Sequence, residues 1–323
     1  MEPFKSILII QTAFIGDAIL ASSLVEKLHR FYPACEISIL VRKGNEGIYQ
    51  HHPFLKEVLV WDKTTQKRKH LFELLKRIRH NGYDAVINCH RFASSGLLAA
   101  FSGARHIAGY TQNPFSFLFN YRIKHSVSNN MHEIERYNQL IEDFTDGVAE
   151  KPRLYPSERD EQKIKPLLKP TYVCMAPASV WFTKQLPENK WMELTNRIPA
   201  NQTIYLLGAP GDLELCQRIQ SGSRHPDVQI LAGQLSLLQS CALMRSASMN
   251  YVNDSAPLHL ASSVNAPVTA FFLSTVPAFG FGPLSQNATI LQVSSLECRP
   301  CGLHGFKACP KGHFKCGTNM PLA

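Results

Sequence analysis

Twice along this chain, short apolar runs with strand character alternate with helical segments, and that rhythm admits few folds. Ser6 to Ile10, Glu36 to Val41, Glu57 to Trp61 and Tyr83 to Cys89 read as strands. Asp17 to Phe31, a basic stretch within Lys63 to Arg79, and His132 to Phe144 read as helices. Strands separated by helices predict βαβ units and a parallel sheet. The segment Gly147 to Pro170 then breaks the pattern with charges and with Pro152, Pro156, Pro166 and Pro170, and reads as a linker. Beyond it the rhythm restarts, with strands predicted at Thr171 to Ala176, Thr203 to Leu207, Val228 to Leu231, Met249 to Val252 and Val268 to Phe272. A chain of 323 residues is comfortable for two domains. The expectation is two doubly wound α/β units, residues 1–155 and 156–323, facing a cleft at their carboxyl strand ends, where such sheets bind ligands. Neither half contains G-x-G-x-x-G, so dinucleotide redox chemistry is not supported.

The segment Asn253-Asp254-Ser255-Ala256-Pro257-Leu258-His259 carries the most chemical content. A strand gives way to small polar residues, and proline enters the first helical turn. Free N–H groups at such a helix start, helped by Ser255 and His259, suit a phosphate; a capped core helix with no ligand explains the same residues. Asp254 would repel phosphate and is better read as bracing the turn or accepting a bond from a sugar hydroxyl. Three other strand-to-helix loops resemble it. One carries Ser179, Thr183 and Lys184, two hydroxyls and an ammonium suited to a diphosphate. Another, Leu207-Gly208-Ala209-Pro210-Gly211-Asp212, offers an acidic residue to ribose hydroxyls. The third, Ile15-Gly16-Asp17, sets a carboxylate at the start of the first helix, as a cap or as a general base. Together the C-terminal loops outline a nucleotide-diphosphate site.

The formal net charge of +9 and pI near 9.1 point to an acidic partner. Lys67, Arg68, Lys69, Lys76, Arg77 and Arg79 crowd one predicted helix whose Leu71, Phe72, Leu75 and Ile78 recur at helical spacing. Its basic face is either simply solvated or in contact with anionic lipid or a phosphorylated glycan. No nucleic-acid-binding motif accompanies the charge, so nucleic acid is not expected as a partner. No run reaches the roughly 18 to 20 apolar residues of a membrane helix. Gly16 and Asp17 interrupt the apolar N-terminus, which reads as a first strand and helix rather than a signal peptide, and the expected location is cytoplasmic. Five cysteines sit scattered in apolar segments and read as reduced core residues. The other four form Cys298-x2-Cys301-x7-Cys309-x6-Cys316. They fit either a structural zinc, with His304 or His313 able to replace a thiolate, or free or disulfide-paired thiols.

These motifs resemble family 9 glycosyltransferases, the lipopolysaccharide heptosyltransferases, and within them the heptosyltransferase II branch. The resemblance runs from Ile7 to Met320 and rests on Ile15-Gly16-Asp17, on Asn253-Asp254-Ser255-x-Pro257-x-His259-Leu260-Ala261, and on Cys298-x-Pro300-Cys301 with Cys309-Pro310-x-Gly312-His313-Phe314-x-Cys316. It implies a GT-B fold, with acceptor bound by the N-terminal unit and ADP-heptose by the C-terminal one. It also implies inverting transfer without a catalytic cofactor, at the inner face of the cytoplasmic membrane. On that resemblance Asp17 would be the base, and Lys184 and the helix start from Ser255 through Ala256 to His259 would take the charge of the leaving diphosphate. Ser179 and Thr183 would serve the phosphates, Asp254 the heptose, Asp212 the ribose, and Leu235 the adenine. Ala256 and Leu273 stand where the family usually has glycine, which favours a different nucleotide sugar as the alternative donor. A zinc-dependent basic nucleic-acid-binding protein is the alternative from another class.

Overall fold

The computed structural model describes residues 4–127 and 130–322. The chain divides into two compact units, Met1–Tyr155 and Pro156–Ala323. In the first, the elements run β1 (Ser6–Gln11), α1 (Ile15–Phe31), β2 (Glu36–Arg42), β3 (Leu55–Trp61), α2 (Lys67–Asn81), β4 (Ala85–Asn88), α3 (Ala93–Ala100), β5 (His106–Tyr110), β6 (Tyr121–Ile123) and α4 (Glu133–Asn138). In the second they run α5 (Glu158–Ile164), β7 (Tyr172–Ala176), α6 (Glu188–Thr195), β8 (Thr203–Leu206), α7 (Leu213–Gly222), β9 (Val228–Ile230), α8 (Leu237–Ser246), β10 (Met249–Asn253), α9 (Ala256–Ser263), β11 (Val268–Phe272), β12 (Ala288–Gln292) and α10 (Lys315–Thr318).

Each unit holds one six-stranded sheet whose recorded pairings are all parallel, in the orders β3-β2-β1-β4-β5-β6 and β12-β11-β10-β7-β8-β9. The central strands are mostly buried, as parallel strands covered on both faces must be, so their sequences are predominantly apolar. Both sheets reverse strand order once, beside β1 and β4 in the first and beside β7 and β10 in the second. Loops that leave neighbouring strands in opposite directions part there and open a crevice at the carboxyl ends. The loops carrying Asp17, Ser179, Lys184 and Asp254 all leave these four-strand junctions.

The expected linker, Gly147 to Pro170, contains the division between the units, but its middle is docked rather than open. Leu154 is buried, and the Arg153 N–H donates to Ser22 Oγ at 2.9 Å. Directly after it, α5 starts on a reciprocal cap in which Ser157 N–H donates to Asp160 Oδ2 at 2.9 Å and Asp160 N–H to Ser157 Oγ at 3.3 Å. Pro152 is buried and Pro156 half-buried in docked chain, whereas Pro166 and Pro170 are exposed; the units divide between Tyr155 and Pro156. The helix expected over His132 to Phe144 is regular only across α4 and continues as turns. Four further elements carried no usable sequence pattern: α3, β5, β6 and β12. The last is an edge strand exposed at four of its five residues.

At the switch point of the second sheet, one side chain fixes the loop geometry. Asn253, the last residue of β10, is fully buried. Its Nδ2 donates to the Pro177 carbonyl at 2.8 Å, and its Oδ1 accepts from the Leu186 N–H at 3.0 Å. The loop that leaves β7 is thus pinned at both ends to the end of β10. Asn253→Ala would strand a buried donor and a buried acceptor, each worth about 1–3 kcal/mol when left unsatisfied. The expected outcome is a loss of roughly 2–4 kcal/mol, read as a lower denaturant midpoint for the transition of the C-terminal unit.

Candidate active site

Between the ends pinned by Asn253, the loop after β7 turns through a single 3-10 turn, Phe182–Lys184. That turn aims Lys184 back at the neighbouring strand end. Its Nζ lies 2.7 Å from Asp254 Oδ2, with the lysine side chain 16% and the carboxylate 5% exposed. The Thr275 hydroxyl, from the loop after β11, donates to the same carboxylate oxygen. Asp254 therefore braces three loops, as one of the two sequence readings expected. Its charge is matched by one ammonium, and that ammonium keeps a partly exposed edge.

Ser255 caps α9 with extended backbone (φ −155°, ψ −178°), yet its hydroxyl makes no capping bond and sits 3.5 Å from the Asn253 carbonyl oxygen. Pro257 occupies the first turn and lacks an N–H, so donors at this helix start come from its neighbours, Ala256 among them. His259 is buried one turn on, its ring 6.3 Å from that of Phe281. Ser179 is half-buried, and its carbonyl accepts from Gln185 Nε2. Ser179, Lys184, Asp254, Ser255 and Ala256 thus gather at the β7–β10 junction.

Thr183 departs from its expected place on the donor side. It is buried, and its hydroxyl accepts from the Phe306 N–H at 2.8 Å, so the side chain is spent on the C-terminal segment. Asp212 and Leu235 form a second group at the ends of β8 and β9. The Asp212 carboxylate accepts from the Ala209 N–H at 2.7 Å, closing the turn Pro210–Asp212. A Cβ on Gly208 would lie 2.8 Å from the Asp212 Cβ, so only glycine allows this closure. The Gly233 N–H donates to the Gly208 carbonyl at 2.9 Å and joins the loop of half-buried Leu235 to the turn. Along β10, β7, β8 and β9 the order is therefore charged cluster, then acidic turn, then apolar side chain.

In the N-terminal unit, Asp17 occupies the first turn of α1 and is half-buried. The loop before it is held by the Gln11 Oε1, which accepts from the Ala13 N–H at 3.0 Å, and by Asn45 Nδ2, which donates to the Ala13 carbonyl at 3.1 Å. Lys63 Nζ donates to the Thr12 carbonyl at 2.7 Å and lies 4.5 Å over the Trp61 ring. Burial, with Arg42 and Lys67 nearby, pushes the Lys63 ammonium down to about 8. Burial, with Lys63 and Arg91 nearby, pushes His90 down to about 4. The carboxyl strand ends of this sheet thus concentrate positive charge around the Asp17 loop.

Cys298, Cys301, Cys309 and Cys316 are all free thiols. Cys298 Sγ is 3.9 Å from His313 Nε2, and the Cys301 thiol donates to the Cys298 carbonyl at 3.1 Å. Among the described residues, no three His, Cys, Asp or Glu side chains are grouped to hold a metal ion. The donor chemistry suits zinc, but the four sulfurs do not stand as a ready shell. Asn253, Thr275, Arg299 and Phe306 were not singled out for roles in the sequence. Asn253 and Arg299 lay inside motifs that could have flagged them; Thr275 and Phe306 lie where no such signal stands.

The description Glycosyltransferase family 9 (heptosyltransferase) matches residues 71–307. A curated relative, lipopolysaccharide heptosyltransferase 1 of Pseudomonas aeruginosa, is 24% identical over 311 residues, covering 91% of this chain and 85% of that protein. Lipopolysaccharide heptosyltransferase 3 of Escherichia coli K12 is 24% identical over 292 residues, covering 84% of this chain and 83% of that protein. A family 9 glycosyl transferase from Veillonella parvula superposes with a TM-score of 0.82 at 21% identity, over 90% of this chain and 87% of that one. The E. coli ADP-heptose lipopolysaccharide heptosyltransferase II gives 0.76 at 22% identity, over 90% and 92%. An E. coli heptosyltransferase solved with ADP-2-deoxy-2-fluoro heptose gives 0.70 at 20% identity, over 90% and 93%. The fold is GT-B. With the family description spanning most of the chain and the same two-sheet architecture in its solved relatives, this chain belongs to glycosyltransferase family 9, the heptosyltransferases.

Proposed function

We propose that this chain transfers a heptose from ADP-heptose to the anionic inner core of lipopolysaccharide, with inversion at the anomeric carbon. The observation that carries the reading is the Lys184–Asp254–Thr275 cluster beside the start of α9. In this reading Asp17 accepts the proton of an acceptor hydroxyl as that oxygen attacks the anomeric carbon. The bond from that carbon to the diphosphate oxygen breaks, and ADP leaves with the electron pair. Lys184 and the N–H groups at the start of α9 stabilise the departing charge, so no metal is needed at the reacting atoms. Ser179 serves the phosphates, Asp212 the ribose and Leu235 the adenine, in the order in which their loops leave the sheet. Zinc on Cys298, Cys301, Cys309 and Cys316 would be structural. A solved relative that holds ADP-2-deoxy-2-fluoro heptose supports the donor. Ala256 at the start of α9 favours a second reading, a different nucleotide sugar.

Acceptor recognition is assigned to the cationic rim of the N-terminal unit, Arg42, Lys63 and Arg91. An acceptor carried on lipid also calls for a membrane-facing surface, and α2 supplies one. Phe72 is 57% exposed on that helix. Helical geometry puts Arg68, Lys69, Lys76 and Arg79 on either side of it, a ring among cations suited to anionic headgroups. Among the described residues, no helix is long and apolar enough to cross a membrane.

Titration calorimetry with ADP, UDP and GDP tests the donor; tighter binding of ADP is expected, and preference for UDP or GDP would overturn heptose as the transferred sugar. Asp17→Ala should abolish transfer with ADP affinity nearly unchanged, whereas Lys184→Ala should weaken both. The acceptor side predicts a pH dependence. An anionic acceptor favours charged Lys63, whose pKa of about 8 means affinity is full below that pH and falls as pH rises through it. Lys63→Arg should hold acceptor KM constant to pH 9.5. Co-sedimentation with phosphatidylglycerol vesicles should weaken roughly 30-fold in the Lys69→Ala/Lys76→Ala double variant, at about 1 kcal/mol per lysine.

A further inference from the structure

The cysteine-bearing segment near the C-terminus reaches both sides of the donor cluster. Residues 299–306 contain neither helix nor strand. At one end the Arg299 guanidinium donates to the Thr275 carbonyl from Nε at 3.2 Å and Nη2 at 2.7 Å, and to the Val293 carbonyl and Gln292 Oε1 at 2.7 Å each. The Cys301 N–H donates to the Ser274 carbonyl at 2.9 Å, and the Ser274 N–H donates in turn to the Thr183 carbonyl at 3.3 Å. At the other end Phe306 and Thr183 bond twice: the Thr183 N–H donates to the Phe306 carbonyl at 3.1 Å, and the Phe306 N–H to Thr183 Oγ1 at 2.8 Å. Gly305, at φ +88°, lies so close that a Cβ there would be 3.0 Å from Lys184 Cγ and 3.0 Å from Trp181 Cβ. The rings of Phe182 and Phe314 add a contact at 4.9 Å.

We propose that residues 299–306 form a strap that sets the position of the Lys184 ammonium, and that Thr183 and Gly305 are positioning residues for it. Thr275 hydrogen-bonds Asp254, and Thr183 precedes Lys184, so the strap grips the carboxylate side and the ammonium side of one ion pair. A short charged cluster of this kind is held only as well as the backbone beneath it. Lysine has a long flexible stem, and the Gly305 backbone against Lys184 Cγ removes much of that freedom before substrate arrives. The inference rests on the reading of Lys184 as the group that neutralises the leaving diphosphate.

The test is a double-mutant cycle on the full chain, with Thr183→Val and Lys184→Ala separately and together. Steady-state transfer from ADP-heptose and calorimetric ADP affinity are the two readouts. In the wild-type background Thr183→Val is expected to lower kcat/KM roughly 10- to 100-fold, as a displacement near 1 Å does, and Thr183→Ser to restore it to within about threefold. In the Lys184→Ala background the same valine substitution should cost less than about twofold, because nothing remains to be positioned. Equal losses in both backgrounds would overturn the proposal and leave Thr183 as a folding residue. So would wild-type turnover by Thr183→Val. If Thr183→Val does not fold, Gly305→Ala is put through the same cycle, with the same two outcomes. Lys184→Ala at wild-type activity and ADP affinity would instead refute the underlying role of Lys184.

Discussion

The charged cluster of the C-terminal unit depends on two hydrogen bonds made by one buried amide. Parallel strands align their residues and leave their loops free, so a loop such as that after β7 needs side-chain bonds to hold it beside the end of β10. Through Asn253, Pro177 and Leu186 are both tied to the same strand end. The eight residues between them have little choice but to fold the 3-10 turn that aims Lys184. A carboxamide can donate from one atom and accept on another without carrying a charge, and a buried charge at this depth would be costly. The pairing of Lys184 with Asp254, the bond from Thr275 and the half-buried start of α9 all stand beside that fixed loop.

Much of this was legible in the sequence, and the reasons are physical. Strands buried on both faces must be predominantly apolar, so β1, β2, β7 and β11 stand out as runs. Small polar residues followed by proline mark a helix start wherever they occur, which is why the Asn253 to His259 segment could be read before its surroundings were known. Edge strand β12 was not legible because its residues face solvent and need no pattern. The segment rich in prolines looked like free linker because proline is used both in open chain and in chain packed tightly between elements. Only burial distinguishes the two uses, and burial of Leu154 is a property of the fold.

Site residues followed the same division. Those whose chemistry is announced by their own loop, Asp17, Lys184, Asp254 and Asp212, lie at strand ends as expected. Thr183 carried the right chemistry in the right loop and is nevertheless turned away, because its partner lies more than a hundred residues along the chain. No local pattern can report such a bond. The same holds for Arg299, which lies among cysteines that draw attention to metal chemistry while its guanidinium does the structural work of holding Thr275 and Val293.

A strap drawn from residues 299–306 also imposes an order in time. A ribosome releases the chain from its N-terminal end, so the β7 loop and the end of β10 emerge and can pair well before Phe306 exists. The sheet of the C-terminal unit, with Lys184 already able to pair with Asp254, can therefore be largely assembled before the strap is made. When the cysteine-bearing segment arrives, the Gly305 backbone narrows the freedom left to the Lys184 stem. On the proposed role of the strap, nascent chains halted short of that segment would be folded in outline with the Lys184 stem less firmly held.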